Sequence, residues 1–108
     1  MNTVRDNLMY CDLVSRNGII HKVGVDGNCF RIVDAEGIPI TPEILEKNGW
    51  WYDEANMWLH DKVDFGIERR NGGLQCYNID QIKLDSVHEL QRALRCCGLW
   101  DIADNFKI

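Results

Sequence analysis

Apolar and polar positions follow a two-residue period in two parts of the chain and a helical period in two others, so strands and helices are expected in separate blocks. Residues 8–33 read as a β-meander. "LMYCDLVS" is mostly apolar and β-compatible, and "IIHKVGV" is its return strand. Asn17-Gly18 lies between them and predicts a tight hairpin, because both residues tolerate positive φ. Ile19, His21, Val23 and Val25 share one face of the return strand. "DGN" is a second turn, and "CFRIV" a third strand. Short strands joined by such turns predict a small, strongly bent, barrel-like sheet.

"IPITPEILEKNGW" then predicts a short helix with defined ends. Thr41 suits the N-cap, Pro42 the first helical position and Glu43 the positive N-terminus. Gly49 suits the left-handed residue after the helix. So short a helix does not hold itself together in water, and Ile44 and Leu45 are expected to pack on a sheet. From about Trp50 to Ile79 a second antiparallel meander is predicted. It opens with an aromatic hairpin, "WWY-DEAN-MWL", read with a four-residue loop. "KVDFGIERR" follows, with Val63, Phe65 and Ile67 on one face, then an "NGG" turn and "LQCYNI".

The stretch "DSVHELQRALRCCGLW" predicts a second helix. Ser86 and Glu89 have capping-box spacing. Val87, Leu90, Ala93, Leu94 and Cys97 fall on one apolar stripe, and His88, Gln91, Arg92 and Arg95 fall outside it. Gly98 is its stop. The fold class expected is therefore α+β: two small antiparallel meanders, a short central helix, and a C-terminal helix packed on the sheet. No Pro-, Gly- or Ser-rich linker separates the meanders, so residues 1–108 read as one domain with sub-lobes of about 1–40 and 41–108.

Two of these stretches resemble a family of short uncharacterised proteins encoded by gut Bacteroidetes and their bacteriophages. Thr41, Glu43, Ile44, Leu45, Glu46, Lys47, Asn48 and Gly49 match its "IPLT-E-ILEKNGF" pattern. Val87, His88, Leu90, Gln91, Leu94, Arg95 and Gly98 match its "VHxLQxxLRxxGI" pattern. The family's opening has Gly ahead of a hydrophobic pair, where this chain has Cys11-Asp12-Leu13-Val14. The resemblance covers most of the chain after Leu8 and implies a shared fold without an assigned activity.

Charge changes the picture only by exclusion. Formal net charge is −5, and both halves carry more acidic than basic residues. A nucleic-acid binder neutralises phosphates with Lys and Arg, so this field opposes one. The alternative of a nucleic-acid-binding small barrel would rest on Arg16, Lys22 and Arg31 beside exposed aromatics. No run reaches the ~20 apolar residues that span a bilayer, and no membrane association is expected. The opening "MNTVRDNLMY" lacks a signal-peptide core, so a cytoplasmic location is expected.

Candidate chemistry is sparse. Five cysteines, Cys11, Cys29, Cys76, Cys96 and Cys97, show no CxxC pairing, and reduced thiols are expected. Adjacent Cys96 and Cys97 diverge on a helix and are read as packing residues rather than a metal or redox pair. His88 has no marked partner, and His21 and His60 carry no pattern. Asp61 and Asp64 read as solvated turn residues. The glycines sit in turns between strands, not in a phosphate-cradling loop. No catalytic residue, metal or cofactor is assigned, and a small enzyme stays a third alternative.

The aromatics stand out. Trp50 and Trp51 must face opposite sides of an extended strand. One is core, and the other is covered by the terminal helix and tail or left for a partner. Trp51, Tyr52, Trp58, Arg69 and Arg70 are therefore the candidate partner-binding set, for a second protein or a second copy. The function expected is a non-enzymatic accessory or protein-interaction domain.

Overall fold

The computed structural model of the chain describes residues 8–24, 35–70, 72–79 and 82–108. The fold is α+β, with a two-stranded antiparallel hairpin, a four-stranded antiparallel meander and three helices. Strands β1 (Leu13–Arg16) and β2 (Ile19–Lys22) pair with Arg16 opposite Ile19. That leaves a two-residue loop in which Asn17 and Gly18 both take positive φ (51° and 78°), as the Asn-Gly pair requires.

The first strand is shorter than its apolar run. Met9–Asp12 forms a turn in which the Asp12 Oδ2 accepts from the Met9 N–H at 2.8 Å. The predicted third strand and its "DGN" turn lie outside the described residues. The edge of β1 is met by a bridge from Glu36, with reciprocal Ser15 and Glu36 backbone bonds of 2.9 and 2.7 Å. Neither sheet closes into a barrel among the described residues, which corrects the barrel-like expectation. The physical reason lies in β2: Ile19 and Ile20 are both solvent-exposed, so that hairpin encloses no interior between them.

Helix α1 (Pro42–Lys47) forms as its sequence directs. Thr41 is extended, and its Oγ1 accepts from the Ile44 N–H at 3.2 Å. Gly49 ends it at φ 96°, and a side chain there would strike the His60 ring. The meander runs in order β3 (Trp50–Asp53), β4 (Met57–His60), β5 (Ile67–Arg70) and β6 (Gly73–Cys76). Asp53 pairs with Met57, so the aromatic hairpin turns in three residues rather than four, with Asn56 in the left-handed region at φ 59°. The strand alternation expected from Val63 begins only at Ile67, because residues 61–64 bend.

Helix α2 (Val87–Cys96) lays Val87, Leu90, Ala93 and Leu94 onto the sheet's inner face with Trp50, Trp58, Ile67 and Cys76. A short helix, α3 (Trp100–Asp104), follows it and was not read from the sequence. The predicted capping box does not form, since the Ser86 side chain bonds no helix N–H. The Val87 N–H is donated to Ile38 O at 2.8 Å, so the loop before α1 supplies that partner. The Ser86 hydroxyl is left to bond the Glu89 carboxylate at 2.7 Å.

The polar side of α2 also departs from expectation. His88, Gln91 and Arg95 lie off the apolar stripe, yet all three are buried. Gln91 and Arg95 face the N-terminal segment and α3 instead of solvent, and His88 packs beside Gly37 and Ser86. Gln91 Oε1 accepts from the Leu13 N–H at 2.8 Å, while its Nε2 donates to Cys11 O at 2.7 Å and Ala103 O at 2.9 Å. Arg95 Nη1 donates to Asp12 Oδ1 at 2.6 Å, Nη2 to Tyr10 O at 3.1 Å, and Nε to Asp104 Oδ1 at 3.3 Å. Asp12 is wholly buried, which such pairing permits. Strand β1 thus faces two ways. Leu13 joins the main core, whereas Val14 packs with Leu8, Val23 and Ala35 in a second, small cluster.

Candidate functional site

The strand register gathers one inward-facing residue from each strand at the end of the sheet that carries the β3–β4 and β5–β6 turns. Tyr52 stands opposite Trp58, and Arg69 stands opposite Leu74. Trp58 pairs with Ile67, two residues before Arg69, so all four share the inner face. Ile40, Thr41, Pro42 and Leu45 form the facing wall, brought there by the capped start of α1. Between them lies an open groove of about 520 Å³. Tyr52 and Trp58 meet edge to face, with ring centroids 5.2 Å apart. The Tyr52 hydroxyl reaches Asn56 Oδ1 at 3.1 Å and so fixes the ring at the groove's mouth.

Five residues were singled out from the sequence, and the structure divides them. Tyr52, Trp58 and Arg69 line the groove. Trp58 is only 7% exposed, because β5 and α2 close over it, so it is a core residue with one side on the groove rather than a free contact. Trp51 and Arg70 point to the sheet's opposite face. Trp50 is the buried partner of the Trp-Trp pair, its indole Nε1 donating to Phe65 O at 3.1 Å. Trp51 is 46% exposed, so helix and tail cover one tryptophan and not the other. Arg70 pairs with Glu68 at 3.5 Å. The groove's far wall was missed, because Ile40, Pro42 and Leu45 read only as helix-start and core positions. Leu74 carried a usable signal: it follows Gly73, which pairs with Arg70, and is thereby set against Arg69.

Of the basic residues named for a nucleic-acid reading, Arg16 lies exposed at the end of β1 and Lys22 is half-buried at the end of β2. Arg31 lies outside the described residues.

One polar cluster resembles catalytic furniture and merits a proton count. Ser86 Oγ lies 2.9 Å from His88 Nδ1 and donates to Glu89 Oε1. That hydroxyl proton is thus directed to Glu89 and not to His88 Nδ1. A general base has to accept from the nucleophile it activates, so this arrangement runs the wrong way for a serine nucleophile. Gly37 packs so closely that a side chain there would collide with the Ser86 Cβ at 2.8 Å. The cluster fixes the start of α2.

The thiols are separate in space and in character. Cys11 and Cys76 are buried, Cys97 is half-buried and Cys96 lies on the open side of α2. Burial pushes the Cys11 thiol up, with the Asp104 and Asp12 carboxylates adding to it and Lys22 and Arg95 opposing. Burial also raises Cys97, helped by the neighbouring Cys76 and Cys96. Cys29 is outside the described residues. Among the described residues, no group of three or more His, Cys, Asp or Glu side chains is placed to hold a metal ion. Iodoacetamide is expected to modify Cys96 first and to leave Cys11, Cys76 and Cys97 slow, as read by peptide mass spectrometry. Raised thiols also set a sign for stability. As pH climbs past the ordinary thiol value of 9.0, the unfolded chain loses these protons before the folded one does, so stability falls. The urea midpoint should be lower at about pH 10 than at about pH 8, and a Cys11→Ser, Cys97→Ser double variant should flatten that slope.

No helix among the described residues is long and apolar enough to cross a membrane. Comparison with known proteins finds no matching family model, no similar curated protein and no similar solved structure.

Proposed function

We propose that this chain is a non-enzymatic protein-interaction domain, and that its binding site is the groove across the turn end of the four-stranded sheet. The observation that carries this reading is the set Tyr52, Trp58, Arg69 and Leu74: one residue from each of four strands lining an open groove that no described element fills, with one guanidinium among them. Open apolar surface of this kind marks a binding site more often than a packing fault. Four adjacent strands span roughly 14 Å, which about four residues of extended peptide would cover. A random-peptide display library, panned on the immobilised protein, tests it. Recurrent peptides that bind the wild type and are lost on Tyr52→Ala are expected. Tyr52 is partly exposed, so that variant keeps its core. No peptide distinguishing the two proteins would end the reading.

A second surface favours weak self-association. Trp51 and Tyr77 are exposed on the sheet's outer face, and the Met57 Sδ and the Tyr77 side chain both lie against Gly66. Aromatic residues so placed are typical anchors of protein contacts. Light scattering on the wild type should show mass rising with concentration, and Trp51→Ala should not. A monomer for both at high concentration removes the dimer. A cytoplasmic setting suits the four free thiols among the described residues and an interaction role, since thiols stay reduced there.

A further inference from the structure

We infer that the groove takes an extended peptide segment in which an aspartate or glutamate neighbours a bulky apolar residue, and that Arg69 receives the carboxylate; this rests on the groove being the binding site. The adjacent arginines give the first reason. Arg70, on the outer face, is paired with Glu68. The Arg69 guanidinium, on the inner face, has no hydrogen bond or ion pair among the described residues, and the cation–π contact they contain belongs to Arg95 and Trp100. The second reason is the composition of the walls. Among the described residues, Arg69 is the one charged side chain that lines the groove, and no carboxylate does. Against the chain's net charge of −5, Arg69 gives an anion a local cation beside apolar surface.

Charge count also selects the anion. A carboxylate carries one negative charge and meets a guanidinium through two parallel hydrogen bonds. A phosphate brings close to two charges, and the groove has no second cation for it among the described residues. A nucleic-acid strand would need a cation at each step of its backbone. The apolar floor then sets what accompanies the acid. Ile40 and Leu74, half-buried at the groove, would be left against water by a purely acidic peptide and are covered by a Phe, Leu or Ile beside the acid.

The test uses a peptide from the display experiment, acetylated and amidated so that its acidic side chain is its only carboxylate. Calorimetry is expected to show that changing that Glu to Gln weakens binding to the wild type about tenfold, or ~1.4 kcal/mol. On Arg69→Gln the two peptides should bind alike, and added salt should weaken only the Glu peptide on the wild type. Arg69 is exposed, so the variant retains the fold, which circular dichroism checks. Selected peptides that lose binding on Tyr52→Ala but lack an acid, or tolerate Glu to Gln, overturn the carboxylate and leave the groove standing. A phosphoserine peptide that outcompetes its glutamate counterpart overturns it too. Failure of every peptide to distinguish Tyr52→Ala overturns both readings together.

Discussion

Arg95→Ala is expected to lower stability by about 3–5 kcal/mol, the scale for breaking a buried ion pair from one side. The guanidinium holds the wholly buried Asp12 at 2.6 Å, the Tyr10 carbonyl at 3.1 Å and Asp104 at 3.3 Å. Its loss strands a carboxylate away from water. Arg92 stands 4.0 Å from the same carboxylate but is partly exposed, so it compensates little. The cheapest escape is for the N-terminal hairpin to lift away and hydrate Asp12. Amide exchange should therefore quicken in β1 and β2 while β3 to β6 stay protected. A urea midpoint matching the wild type, with unchanged exchange in Leu13–Arg16, would show that the hairpin does not depend on this pair.

The second large effect sits on the other side of the same helix. Leu94 is fully buried against the inner face of the sheet, and Leu94→Ala should cost about 2–5 kcal/mol from lost burial and the cavity left behind. Its exchange signature should be the reverse of that for Arg95→Ala, with protection falling across the whole meander as well as α2. A midpoint unchanged by Leu94→Ala would mean that α2 presents a different face to the sheet. Together the two substitutions ask whether one ten-residue helix secures two layers by different means, apolar contact on one side and hydrogen-bonded charge on the other.

Much of the fold was legible because local chemistry dictated it. Asn17-Gly18 specified a two-residue turn, Thr41 and Pro42 opened α1, Gly49 closed it, and the apolar stripe of α2 faced the sheet as its spacing required. What escaped was tertiary. His88, Gln91 and Arg95 looked like a solvated face, since helical periodicity registers apolar burial and is blind to polar groups that find partners from distant segments. Helix α3 escaped because Trp100–Asp104 is five residues, too short for a period to show. Of the candidate site, Tyr52, Trp58 and Arg69 came together, but which tryptophan of the pair would be buried depended on register with His60 and Leu59, not on either residue. Arg69 and Arg70 are chemically identical in sequence. Only the alternation of β5 gives one a partner and leaves the other open.

Gln91 has a bearing on how the chain assembles. Its one amide bonds backbone groups of Cys11 and Leu13, separated from it by 80 and 78 positions, and also Ala103, 12 positions away. Until all three segments have arrived, some of those groups stay hydrated, and no half-built intermediate can bury the amide without a penalty of about 1–3 kcal/mol per missing bond. The wild-type polypeptide should accordingly gain its two clusters in a single concerted step, with closure around this side chain among the last events before the native state.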